Sequence, residues 1–203
     1  MKADKLKDRE TYRGKSSGIQ QKMKYDQKIN LKNGKEAWLK NGETQDGKEV
    51  YEVFNRTHEE TDYMLSYPDE NSFDAEEEGE FLKEKTENPR EIEIVARIDG
   101  KVVGTAGIES IGAKDKVSHR AEFGISVLKE YWGLGLGRAL TEACIKCAKE
   151  AGYYQLELNA VAENSRAISM YRSLGFEEFG RNPAGFKSRY SGFQELVYML
   201  RIL

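Results

Sequence analysis

Three glycines alternate with leucine in Trp132-Gly133-Leu134-Gly135-Leu136-Gly137-Arg138. Glycine lets backbone come close to a ligand and permits positive φ. A strand pattern ends just before this stretch and a helical pattern begins at its end. The amides of Gly133 to Arg138 should therefore point outward at a helix N-terminus. Free N–H groups at the positive end of a helix dipole form an anion site, suited to a pyrophosphate. The competing reading is a glycine-rich turn that only packs closely. The third glycine follows after one residue, so the pattern is not G-x-G-x-x-G, and no Gly-Lys-Ser/Thr is present. A dinucleotide or nucleoside triphosphate site is therefore disfavoured.

Other reactive side chains point to less. Cys144 and Cys147 form C-x-x-C. They share a helix face with Leu140, Ala143, Ala148 and Ala151, which favours core packing over redox or metal chemistry. His58 and His119 are isolated in the sequence, and no metal site is expected. The acidic run Asp74-Ala75-Glu76-Glu77-Glu78-Gly79-Glu80 reads most simply as a solvated helix face.

The 203 residues are enough for one domain with a real core. Charged residues make up 33% and aromatics 10%, a soluble but not disordered composition. No apolar run approaches the roughly 18–20 residues of a membrane helix, and the charged start MKADKLKDRE does not read as a secretory signal. A reducing cytoplasm is the expected compartment. The net charge of −3 is unevenly spread: residues 1–42 carry +7, residues 43–93 carry −13 and residues 94–203 carry +3. The basic N-terminus reads as a solvated tail or as an arm toward a partner. No aromatic-plus-basic pattern accompanies it, so nucleic acid is not expected.

Residues 1–25 lack apolar periodicity and read as a basic extension, leaving residues 26–203 as the folded domain. Ile29 to Leu31 and Ala37 to Leu39 pair around Asn33-Gly34. A helix should follow from Thr44, with Val50, Val53, Phe54 and Thr57 at helical spacing, and a second from Asp74 to Glu87, stopped by Asn88-Pro89. Residues 92–98 and 101–108 form a hairpin about Asp99-Gly100. Strands are expected at 120–127, 154–161 and 194–202, and helices from Gly137 or Arg138 to Glu150 and from Asn164 to Ser173. Hairpins followed by a β-α-β-α unit imply a mixed α/β sheet of α+β type.

A second motif, Asn164-Ser165-Arg166-Ala167-Ile168-Ser169-Met170-Tyr171-Arg172-Ser173-Leu174-Gly175-Phe176, lies one helix and one strand after the glycines. Together the two segments resemble the GNAT superfamily of acyl-CoA-dependent N-acetyltransferases. The family's Gln/Arg-x-x-Gly-x-Gly/Ala falls on Trp132 to Gly137, with Trp132 replacing the usual Gln or Arg. Its Asn-x-x-Ala-x-x-x-Tyr-x-x-x-Gly-Phe is matched in full. The resemblance covers about Lys28 to Leu203.

It implies a mostly antiparallel central sheet of six to seven strands, with helices on both faces and a splay between the family's fourth and fifth strands. Pantetheine would lie in that gap along Ile125, Ser126 and Val127. The phosphates would lie on Trp132, Gly133, Leu134, Gly135, Leu136, Gly137 and Arg138. Asn164 would bond the pantetheine arm. Tyr171 would sit at the acyl sulfur and protonate the leaving thiolate. Glu122 would take the amine's proton through a water.

The expected reaction is direct attack of a primary amine on acetyl-CoA in a ternary complex. The acceptor would be a small molecule or peptide amine, cationic if the −13 segment steers it. A homodimer is compatible with the sequence. The alternative is a non-catalytic acyl-CoA-binding module or sensor.

Overall fold

The computed structural model describes residues 22–203. Most of the expected N-terminal extension lies outside the described residues. The chain from residue 22 already packs: Met23 is buried, and Asn41 bonds the backbone of both Met23 and Tyr25.

Eight strands form one sheet in the order β1-β2-β3-β4-β5-β6-β8-β7. They are β1 (Asp26–Asn30), β2 (Glu36–Asn41), β3 (Ile92–Ile98), β4 (Lys101–Ser110), β5 (Arg120–Val127), β6 (Gln155–Val161), β7 (Glu177–Ser188) and β8 (Gly192–Ile202). The helices are α1 (Gly47–Glu60), α2 (Ala75–Glu87), α3 (Leu136–Glu150) and α4 (Ser165–Ser173). All neighbours are antiparallel except β5 and β6. The turn signals behave as expected. Asp99 and Gly100 both take positive φ, the form that an Asp-Gly hairpin needs.

The strand count exceeds the expected six to seven because β7 has no clean alternation to announce it. Asn182-Pro183-Ala184-Gly185 interrupts it, and its ladder to β8 skips between Asn182 and Phe186. A proline, lacking an N–H, is tolerated here because β7 is the sheet edge.

Alternation sorts the central strands into two faces. Ile92, Ile108 and Phe123 lie in one row across β3, β4 and β5, and Ile94, Ala106 and Ile125 in the next. This apolar face packs on α3, whose Leu136, Leu140, Ala143, Cys144, Cys147 and Ala148 are buried. The C-x-x-C pair is thus core. Burial pushes the Cys147 thiol up to about 12 and that of Cys144 well above its usual value. The opposite face carries the rows Glu109–Glu122, Glu93–Gly107–Gly124 and Val95–Thr105–Ser126. α1 and α2 pack on this side and on each other.

β5 and β6 pair over only three positions, Arg120–Gln155, Ala121–Leu156 and Glu122–Glu157, and then diverge. At the closed end Arg120 grips Glu157 with two bonds, through Nε and, at 2.7 Å, through Nη2. Gln155 Nε2 adds a third at 2.8 Å. Glu157 is buried, so removing its cation strands a charge. Arg120→Ala should lower unfolding stability by about 2–3 kcal/mol, less than for a fully buried pair because Arg120 is partly exposed. Urea denaturation measures this, and Arg120→Lys should recover part of the loss.

Candidate active site

From Phe123 to Val127 the edge of β5 that faces β6 has no strand partner. The resulting gap opens into a cavity of about 1060 Å3, large enough for a cofactor arm and an acceptor together. Peptide groups on β5 alternate in direction. The carbonyl of Val127 accepts from Trp132 Nε1 at 2.7 Å, not from β4, so the N–H of the same residue also lies on the gap side. Trp132 thereby ties the end of β5 to the glycine loop, a role that its departure from the family pattern did not announce.

The loop then rises to α3. Gly133 and Gly135 have φ of 79° and 97°, and Gly135 is the N-cap of α3. A side chain would strain the backbone at both positions. Gly137 needs no such conformation. The first turn of α3 leaves N–H groups without intrahelical partners beside the cavity. Lys32, Arg138 and Arg166 line the same end. Lys32 N bonds the Leu134 carbonyl, and Arg138 is held by Glu142 and by Ser173 of α4. This end is an anion site of N–H groups and cations.

Asn164 is the N-cap of α4 and accepts from Ala167 N at 3.3 Å. Its oxygen is therefore committed to the helix, and its amide nitrogen is the group left for a ligand in the cavity. Tyr171 lies one face further along α4, 6% exposed, with its ring edge-on to Phe123 and Phe176. Burial pushes its phenol well above the ordinary range. The hydroxyl therefore keeps its proton at physiological pH and can donate a hydrogen bond.

Glu122 faces the cavity on β5 and accepts from Asn159 Nδ2, across the gap on β6, at 3.4 Å. The structure thus brings Glu122, Ile125, Ser126, Val127, Trp132, Gly133, Gly135, Gly137, Arg138, Asn164 and Tyr171 around one cavity, whereas the alternating Leu134 and Leu136 turn away from it, Leu136 fully buried in the core and Leu134 packed against it.

Three further titratable side chains line it: Glu93, which sequence reasoning passed over, Glu78, which it read as part of a solvated run, and His58, which it read as isolated. Glu93 on β3 alternates with Ile92 and Ile94, which reads as a solvent face. Glu78 sits within the acidic run, yet α2 turns it inward while Glu76, Glu77 and Glu80 stay exposed. His58, on α1, is buried and stacked on Phe54 at 3.8 Å. Its Nδ1 donates to the Phe54 carbonyl at 2.7 Å, and burial holds the ring below its usual pKa and neutral.

The segment after α1 is strapped to the β7–β8 turn. Asp62 Oδ2 accepts from Ser188 and Ser191, and Gln194 Nε2 donates to the Asp62 carbonyl. Arg189 pairs with Asp69 at 2.6 Å and stacks on Tyr67.

Burial raises the Glu78 carboxyl to about 7. Burial also raises Glu93, to about 8, opposed by the Thr105 hydroxyl and reinforced by the charge of Glu78. Some surface of Glu93 is open to the cavity, but protein surrounds its carboxylate.

The family profile described as "Acetyltransferase (GNAT) family" matches residues 48–176. An L-amino acid N-acetyltransferase of Escherichia coli (strain K12) is 32% identical over 111 residues, 54% of this chain and 67% of that protein. N-acetyltransferase 8 of Rattus norvegicus is 31% identical over 43% of this chain, which spans only 40% of that protein. A Streptococcus pneumoniae acetyltransferase of the GNAT family superposes with a TM-score of 0.78 at 26% identity, over 82% of this chain and 99% of its own. A Salmonella typhimurium acetyltransferase solved with its cofactor acetyl-CoA superposes at 0.73, over 82% and 94% of the two chains. At 19% identity that match speaks for the fold alone.

An acid whose folded pKa is raised stabilises the protein below its unfolded pKa and loses that contribution as pH rises through the folded value. For Glu78 the window runs from about 4.5 to about 7, with a total of about 3 kcal/mol. The melting temperature should therefore fall across this range. Glu78→Gln should flatten that part of the profile and be the more stable form above pH 7.

Proposed function

The chain belongs to the acetyltransferase (GNAT) family, and from that membership we propose that residues 26–203 move an acetyl group from acetyl-CoA to a primary amine within a ternary complex. The observation that carries this reading is the unpaired edge of β5, which lines one cavity together with the N–H-rich start of α3 and with Tyr171.

Acetyl-CoA supplies an activated thioester and needs a home for two chemically different parts. Its phosphates suit the loop from Trp132 to Arg138 with Lys32 and Arg166 nearby. The amide-bearing arm suits the edge of β5 at Ile125, Ser126 and Val127, where extended backbone offers donors and acceptors. No metal is required.

The chemical demands on the chain are few. An alkyl amine has a pKa near that of lysine, about 10.4, so it must give up a proton before it attacks. Glu122 accepts that proton, directly or through a water. The Val127 N–H faces the charge that develops on the acyl oxygen. Tyr171 gives its proton to the departing sulfur. Holding both reactants in one gap supplies much of the acceleration.

Two measurements test this. CoA and acetyl-CoA should raise the melting temperature by binding the folded state, while ATP and NAD do so far less. Gly135→Val should abolish the shift by straining the loop. With a productive amine, Tyr171→Phe should cut turnover about 10²-fold with little change in acetyl-CoA affinity. An equal shift with ATP would contradict the reading. Full activity of Tyr171→Phe would contradict the role given to Tyr171, and binding without turnover of any amine would favour the binding module instead.

A further inference from the structure

Besides Glu70, which pairs with Arg189, four carboxylates line the cavity: Glu78 from α2, Glu93 from β3, Glu109 from β4 and Glu122 from β5. Two of them have partners. Glu109 lies 2.7 Å from Lys85 Nζ, and Glu122 accepts from Asn159. The other two have no cation within ion-pair distance among the described residues. Glu78 is 7% exposed, and its carboxylate has neither a hydrogen bond nor an ion pair among the described residues, although it borders the cavity. Burial raises its proton affinity.

The Glu93 carboxylate lies across β4 directly over Gly107, where any Cβ would collide with its Oε2. Gly107 is in register with Gly124 on β5, and nothing stands within 4 Å of the Cβ position there. The row Glu93–Gly107–Gly124 is thus a floor bare of side chains beyond Glu93 itself. It leads from the two unpaired carboxylates to the splayed edge of β5.

An elongated molecule on this floor would have one end at the reacting centre and the other against Glu78 and Glu93. We propose that Glu78 and Glu93 form a subsite for a second positive charge on the acceptor, so that the preferred acceptor is a short alkyl di- or polyamine. This rests on the acetyl-transfer reading above.

The distance from the pair to β5 is one to two strand spacings, about 5–10 Å, within reach of a short alkyl diamine. Phe54, Phe73 and Phe81 also line the cavity and suit the alkyl part. The charge of Lys85 favours ionised Glu93 but forms no ion pair with it. Lys85 is shared between Glu91 and Glu109, and His58 is neutral. A cation entering between Glu78 and Glu93 would let both ionise, and a carboxylate-bearing amine would meet repulsion there.

The test titrates 1,4-diaminobutane and n-butylamine calorimetrically into the CoA-saturated full chain. The wild type, Glu78→Gln, Glu93→Gln and the solvent-facing control Glu76→Gln are compared. The diamine should bind at least about tenfold more tightly than the monoamine. Either inward substitution should erase most of that advantage, and Glu76→Gln should leave it intact. The CoA-induced melting shift should be the same in all four, which separates a local effect from misfolding. Equal binding of the two amines, or a diamine preference that survives both inward substitutions, would overturn the subsite. Diamine binding through the pair without CoA release from acetyl-CoA would support the subsite and contradict only the transfer reading.

Discussion

After Glu122 the β5–β6 ladder stops while both strands continue. Backbone N–H and C=O groups inside a protein must be paired or hydrated. A strand edge left open within the sheet must therefore be met by water or by a ligand that can hydrogen-bond like another strand. The remaining features depend on that opening. Arg120 and Glu157 fix where it starts. Trp132 fixes where β5 ends. The left-handed Gly133 and Gly135 then let the chain turn straight into α3, so the amides of its first turn meet the wide end of the gap. Tyr171 of α4 reaches the cavity from the edge of the aromatic core.

The cavity is also polar in charge. Lys32, Arg138 and Arg166 surround the glycine loop, while Glu78, Glu93, Glu109 and Glu122 surround the inner end. An anionic cosubstrate and a cationic acceptor would each be drawn to its own end. This is a sharper arrangement than the −13 segment alone suggests, because Glu76, Glu77 and Glu80 face outward and act on a ligand only at long range. Under the proposed subsite, the carboxylates that meet the acceptor are those that α2 and β3 turn inward.

Much of this was legible in the sequence. The two motifs fix the start of α3 and the course of α4, and turn chemistry placed the Asn33-Gly34 and Asp99-Gly100 hairpins. Helix α2 runs from its Asp74 cap to Asn88 as its capping and proline signals imply. What escaped did so for identifiable reasons. β7 is an edge strand broken by Pro183, so alternation does not reveal it. Glu93 and Glu78 occupy positions that would be solvent-facing in an isolated strand or helix. Only packing α1 and α2 over the sheet converts that polar face into a cavity lining. Trp132 stands where the family pattern has Gln or Arg, and only the folded chain shows that its indole N–H serves the strand end.

Hydrogen exchange with and without acetyl-CoA addresses the splayed edge most directly. If the edge of β5 is the cosubstrate's backbone partner, the gap-facing amides of Ile125 and Val127 and those in the first turn of α3 should slow markedly on binding, while the Leu128 amide, already bonded to Val103, should not. Amides at the paired end of β5, near Ala121, should change little. Unchanged exchange at Ile125 and Val127 in a chain saturated with acetyl-CoA would contradict the assignment of the gap.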